Sequence, residues 1–289
     1  MVKDGCTGEE PMSFRTLLIA VGAADDDREV ERAAAIAAAL GAHLHVLVIG
    51  IAPPPPSSPY GIVSNDVWAT EIREGQEAAD ARAAAILAAL GARGISASVE
   101  SHHIDRGTIA AVAARAARYA DLTLVPQTEK NKDPLQTAVM DGALFESGRP
   151  ILLMPVGEIR FPEVETAMIA WDASVEASKA VRDALGLLRQ AREVHVVLID
   201  PVPSFEGHGP EPGADLATYL GRHGISPTIH RMPREGRECA DILNRCAADF
   251  SADLIVMGGF GHSRLRQRIF GGTTVAMISR AKVPVLMAH

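Results

Sequence analysis

Residues 252–289 read ADLIVMGGFGHSRLRQRIFGGTTVAMISRAKVPVLMAH, and this stretch decides the fold. It opens on Asp253–Met257, a short apolar run with the pattern of a strand buried on both faces. A glycine loop follows, with Gly258, Gly259 and Gly261, and then a basic segment with Arg264, Arg266 and Arg268. A second glycine pair, Gly271–Gly272, leads into Thr273 and Thr274, a helical run over Val275–Arg280, and a last strand over Val283–Ala288. Strand, loop, helix, strand is the unit of a parallel sheet covered by helices.

The spacing Gly258-x2-Gly261-x9-Gly271-Gly272-Thr273 points to anion binding. Glycines at a strand end let the backbone bend and let a bulky ligand come close. Gly271–Gly272–Thr273 falls where a helix should begin. The first N–H groups of a helix lack internal partners, and that end of the dipole is positive. No Gly-x4-Gly-Lys-Ser/Thr run is present, so there is no phosphate-binding lysine of that kind, and the dinucleotide fingerprint is absent too. The competing reading is a glycine turn that only joins a strand to a helix.

Working outward, the strand–helix alternation runs through the whole chain, twice. In the first half, strands are expected at Thr16–Val21, Leu44–Ile49, Ile95–His103, Leu122–Val125 and Ile151–Met154. Helices are expected at Asp25–Leu40, Val67–Leu90, Thr108–Tyr119 and Leu135–Phe145. In the second half, strands fall at Thr166–Trp171, Val194–Ile199, Pro227–Arg231, Leu254–Met257 and Val283–Ala288. Its helices fall at Val175–Gln190, Asp215–Arg222, Arg237–Phe250 and Thr274–Arg280. His45-Val46 matches His195-Val196 at an offset of 150, and Ala120-Asp121-Leu122 matches Ala252-Asp253-Leu254 at an offset of 132. The first half therefore carries 18 more residues between its second and fourth strands, where Pro53–Pro56 and a longer helix lie.

The halves differ in the chemistry they support. Where the second has Gly258-Gly259-Phe260-Gly261, the first has Pro126-Gln127-Thr128-Glu129. Proline removes an N–H and glutamate repels phosphate, so the first half reads as a degenerate copy. Asp25-Asp26-Asp27 reads as an acidic first helical turn rather than a metal cluster. His102 and His103 are strand neighbours on opposite faces, so one metal ion cannot easily take both.

Composition bounds the function. Hydrophobic residues make up 47% of 289, enough for two cores, and the net charge of −8 argues against nucleic acid as a partner of the whole chain. Three cysteines suggest a reducing compartment; Cys239 and Cys246, seven apart on one helix, read as core packing, with a redox pair as the alternative. No apolar run spans a membrane, and the start MVKDGCTGEEP is polar, so a cytoplasmic protein with a disordered leader over 1–11 is expected.

The run GGFGHSRLRQRIFGGTT resembles the universal stress protein family, whose nucleotide-binding members carry G-x2-G-x9-G-[S/T], and it is most similar to the version in tandem, two-domain members. Gly272 departs from the pattern, standing where the family often has a hydroxyl residue; Thr273, Thr274 or bare backbone N–H groups would take over. The resemblance implies two doubly wound α/β domains, 12–157 and 163–289, each an open parallel five-stranded sheet in the order 3-2-1-4-5. Strands one and four then flank the crevice where such sheets bind ligands. It also implies a role for Asp172, which on its own reads as a helix cap, in contacting ribose or adenine; the family's proline two residues earlier is Ala170 here. Adenine contact through backbone maps to Leu198. The implied nucleotide site is Ala170, Trp171, Asp172, Leu198, Met257, Gly258, Gly261, His262, Arg264, Gly271, Gly272, Thr273 and Thr274. Its ligand would be ATP, AMP or ADP, with Mg as a bridging ion lacking a clear carboxylate cage.

The function so implied is that of an ATP-binding regulatory protein of the stress response. A slow ATPase or phosphotransferase is the enzymatic alternative, opposed by the lack of a positioned base. A scaffold for another ligand or a protein partner is the third. The last strands of the two halves are expected to pair as apolar edges, while assembly of whole chains into a homodimer stays open beside the single chain.

Overall fold

The computed structural model describes residues 14–54, 65–127, 133–205, 207–260 and 272–289. The expected leader and part of the proline insertion lie outside them, as do Gly261, His262, Arg264 and Gly271.

The first half runs β1 (Thr16–Gly22), α1 (Arg28–Leu40), β2 (His43–Ile51), α2 (Asn65–Ala92), β3 (Ala97–Ile104), α3 (Ile109–Ala117), β4 (Leu122–Pro126), α4 (Pro134–Asp141) and β5 (Ile151–Met154). The second runs β6 (Thr166–Ala170), α5 (Val175–Asp183), α6 (Leu185–Gln190), β7 (Glu193–Ile199), α7 (Ala214–Arg222), β8 (Pro227–Met232), α8 (Cys239–Asp249), β9 (Leu254–Gly258), α9 (Thr273–Arg280) and β10 (Val285–Ala288). Two expected helices differ in detail. Val175–Gln190 breaks at Ala184 into α5 and α6. Leu135–Phe145 starts with Pro134 at its first turn and ends in a π-helical segment, Gly142–Ser147. Gly142 permits this, because a Cβ there would sit 2.2 Å from the Ala110 carbonyl oxygen of α3.

Each half has the strand order 3-2-1-4-5, all parallel, but the two sheets are one. The order is β3-β2-β1-β4-β5-β10-β9-β6-β7-β8, and the single antiparallel pairing is β5 with β10. Leu153 pairs with Val285, Leu152 with Leu286 and Ile151 with Met287. All eight residues of these two strands are buried. Separating the halves would expose two apolar strand edges and strand their N–H and C=O groups.

Helices α1, α2, α5, α6 and α7 cover one face of the sheet, and α3, α4, α8 and α9 the other, each layer over a core that runs through both halves. The inner strands are therefore buried on both sides, which is why they read as continuous apolar runs rather than alternating ones, whereas the edge strands β3 and β8 are polar and only partly covered. The repeated aspartate has a structural role in both copies. The Asp121 carboxylate accepts from Arg15 and Thr16 N–H at 2.8 and 2.9 Å, and Asp253 does the same for Glu165 and Thr166 at 3.0 Å. Each aspartate thus pins the entry of strand one to the start of strand four. The antiparallel junction has a further effect: the carboxyl ends of the two sets of strands point to opposite ends of the sheet.

Candidate functional site

In the second half the chain leaves the sheet in opposite directions from β6 and β9. Their ends lie side by side, with Ala170 paired to Met257, so the segments after them face one another across a crevice. On the β6 side, Trp171 N–H donates to the Val197 carbonyl at 2.9 Å, continuing the ladder. Asp172 is exposed. Its Oδ1 accepts from the Ser174 N–H at 3.0 Å and from the Ser174 hydroxyl at 2.6 Å. Ser174 Oγ in turn accepts from Ala177 N–H at 3.1 Å and caps α5. The helix-cap role weighed for Asp172 thus belongs to Ser174, and Ser174 holds the Asp172 carboxylate in one orientation at the crevice rim. Ala173, between them, adopts φ 59°, which makes the turn tight.

On the β9 side the glycines do different work. A Cβ on Gly258 would lie 2.6 Å from Ala177 N and 2.9 Å from Glu176 C, so glycine is needed there for the first turn of α5 to cross the strand end. A Cβ on Gly259 would meet nothing nearer than the Ala288 carbonyl oxygen at 3.6 Å. Gly259 N–H donates to that oxygen at 2.9 Å, and its own carbonyl lies 3.0 Å from His289 Nδ1. Phe260 follows at φ 59° with its N–H donating to Thr274 Oγ1 at 3.1 Å. Thr274 is buried and its hydroxyl accepts this bond. It therefore fixes the loop.

Gly272 is the residue before α9, extended at φ −76° and ψ 165°, and carries no capping side chain. The N–H groups of Thr273, Thr274 and Val275 have no acceptor within the helix. Leu198 has its side chain fully buried, so only its backbone could meet a ligand. The structure brings Ala170, Trp171, Asp172, Met257 and Gly258 to the ends of two adjacent strands and puts Gly272, Thr273 and Thr274 at a helix start.

The first-half counterpart is a cleft of about 460 Å³ between the ends of β1 and β4, lined among others by Asp25, Asp26, Arg28, Gln127, Asp133 and Gln136. Asp133 Oδ1 accepts from Leu135 N–H at 2.9 Å and caps α4. The three aspartates expected in the first turn of α1 precede it instead, and each has its own partner. Asp25 accepts from Gly22 N–H, Asp26 from Arg28, and Asp27 pairs with Arg82.

Other candidates resolve into packing. Cys246 is buried, and burial pushes its thiol above the ordinary range, so it is a poor nucleophile. His102 lies by Glu100, while His103 packs against Gly50 and Gly75, on different sides as expected of strand neighbours. No metal-binding group of three ligands occurs among the described residues. On the first-half sheet face, His45 contacts Ser98 and Glu100, and burial depresses its pKa. On the second, His195 and His230 touch at 3.0 Å and stack on Phe250. Burial first, then His195, depresses His230.

Residues 163–289 match the model of the universal stress protein family. The second half is a universal stress protein domain. A universal stress protein of Synechocystis sp. is 25% identical over 153 residues, 52% of this chain and 50% of that protein, so the chain spans about half of that relative's length. A universal stress protein of Archaeoglobus fulgidus has the same fold over almost the whole chain: TM-score 0.68 at 16% identity, covering 94% of this chain and 95% of that one. A structure from Pseudomonas aeruginosa assigned to the same family gives 0.55 at 17% identity, covering 96% and 94%. The 289 residues thus hold two units of the stress-protein fold, the second carrying the family's sequence pattern. No helix among the described residues is long and apolar enough to cross a membrane.

Proposed function

We propose that the chain binds one adenine nucleotide, ATP foremost, in the second half, and that occupancy regulates its conformation or partners in a stress response. The observation that carries this reading is the convergence of an oriented carboxylate, Asp172, and an uncapped helix start, Gly272–Thr273, around the ends of neighbouring strands. An exposed carboxylate at a crevice rim suits the hydroxyls of a ribose. Free N–H groups at the positive end of a helix suit phosphate oxygens. The reading also assigns phosphate contact to Gly261, Gly271 and Arg264, and Mg to the phosphates themselves.

Calorimetric titration of ATP into the full chain, with mass spectrometry of nucleotide released from purified protein, tests it. One site per chain supports the reading. No binding and no released nucleotide would sink it. Conversion of bound ATP to ADP on incubation would move the protein to the enzymatic alternative.

A further inference from the structure

Both described parts of the proposed anion site touch the other half of the chain. Phe260 sits at the mouth of the glycine loop, and its ring lies 5.1 Å from that of Phe145, tilted by 60°. Phe145 belongs to the π-helical end of α4, in the first half. It also meets the His289 ring edge-on at 4.6 Å, and His289 contacts the Gly259 carbonyl at 3.0 Å. Leu144, the residue before it, comes within 3.9 Å of the Cβ position of Gly259. At the far end of α9, the Gln127 side-chain amide donates to the Ile278 carbonyl at 2.9 Å. That carbonyl lies in the last turn of the helix, where no intrahelical N–H reaches it.

We infer that the first half is the positioning partner of the second half's anion site, with Phe145 and Gln127 as its two points of contact. Phe260 is a non-glycine residue at positive φ, a conformation a side chain adopts only when its surroundings impose it. Those surroundings are Phe145 on the ring and Thr274 Oγ1 on the N–H. Thr274 is the second residue of α9, so the loop mouth and the helix start move together. Gln127 ties down the other end of the same helix. Gln127, from the stretch whose proline and glutamate read as lost phosphate binding in one half, therefore secures the helix proposed to face phosphate in the other. Tilted aromatic pairs add attraction beyond their buried area, so the clamp is directional as well as apolar.

This inference rests on the nucleotide reading, and two measurements on the full chain separate their failures. In the first, ATP and adenosine are titrated into wild type, Phe145→Ala, Phe145→Leu and Gln127→Ala. The Phe145 variants should weaken ATP by about threefold to tenfold and leave adenosine within about twofold. In the second, amide hydrogen exchange without ligand should be faster at Phe260 in the Phe145 variants. The last turn of α9 should exchange faster in Gln127→Ala. Phe145→Leu keeps most of the apolar bulk and covers the case in which Phe145→Ala does not fold. Unchanged exchange and unchanged ATP affinity in folded variants overturn the inference, as does an equal loss for ATP and adenosine. A wild type that binds neither ligand removes the nucleotide reading, and the inference with it.

Discussion

Asp133 and Gly272 stand at the same place in their halves, immediately before the last helix, and leave opposite electrostatics behind them. Asp133 turns its carboxylate onto the N–H of Leu135 and fills the positive end of α4 with its own negative charge. Gly272 offers no side chain, and α9 begins with its N–H groups free of any helical acceptor. The strand ends beside them diverge in the same sense. Pro126 closes β4 without an N–H, whereas Gly258 closes β9 so tightly under α5 that no side chain fits. The two halves share a backbone design and differ in whether the crevice is already satisfied from within.

The sharpest way to break that contrast is to give the second half the first half's charge. Thr273→Glu places a carboxylate on the first turn of α9. It should stabilise the helix slightly, by about 0.3–1 kcal/mol, yet weaken ATP by at least a hundredfold. Like charges about 4 Å apart near a protein surface repel by roughly 4 kcal/mol. Calorimetry and thermal melting together read both signs, and a variant that binds ATP as wild type does would remove the helix start from the site. Asp172→Ala comes next. Losing one charge-assisted hydrogen bond should cost roughly 1.5–3 kcal/mol of binding, about ten- to a hundredfold. Asp25→Ala at the first-half crevice should leave ATP affinity unchanged, and an equal loss in both variants would mean that the halves are not distinguished.

Gly258→Ala should cost roughly 1–3 kcal/mol of stability by urea unfolding, because the new Cβ meets backbone of α5 at 2.6 Å. Gly259→Ala should be nearly neutral by the same assay. Similar losses for the two would show that the strand end has room to relax. The smallest effect is with pH. Burial lowers the pKa of His45 and His230 below the ordinary imidazole value of about 6.5. The unfolded chain therefore binds these protons first, and stability should fall as pH drops below about 6.5. Replacing both by Asn should flatten the urea midpoint between about pH 6.5 and 5.5; an unaltered slope there would clear these histidines of the effect.

Much of the fold was legible because strands buried on both faces announce themselves as short apolar runs between alanine-rich helices. The pairing of Ile151–Met154 with Val283–Ala288 followed from the same logic, since both are apolar edges. Local geometry was less legible. The helix break at Ala184 carries no proline, and Gly186 falls just beyond it inside α6 rather than at the break, while the π-helical end of α4 depends on how closely Gly142 approaches α3. At the candidate site, the place of Asp172 at the end of strand one and the start of the last helix could be read from the sequence, while a ligand role for Asp172 came only from the family resemblance. The tasks of Gly258, Thr274 and Ser174 could not be read there, because close approach and hydroxyl direction are set by which helix crosses which strand. Phe145 and Gln127 were hidden for a stronger reason. Their contacts cross between halves, over more than a hundred residues of sequence, and no local pattern encodes them.

The β5–β10 junction has a consequence for how such a molecule can change over generations. In a symmetric pair of identical chains every substitution appears twice, so a crevice cannot be filled on one side and kept open on the other. Here the two sides are separate stretches of one gene product, and Asp133 could arise without touching Gly272. The covalent link, whose Phe161 and Val164 are packed into the core, also makes their meeting intramolecular, at an effective concentration of at least about millimolar. The pairing of β5 with β10, and whatever β9 and α9 hold, should therefore survive dilutions at which two unlinked halves would drift apart.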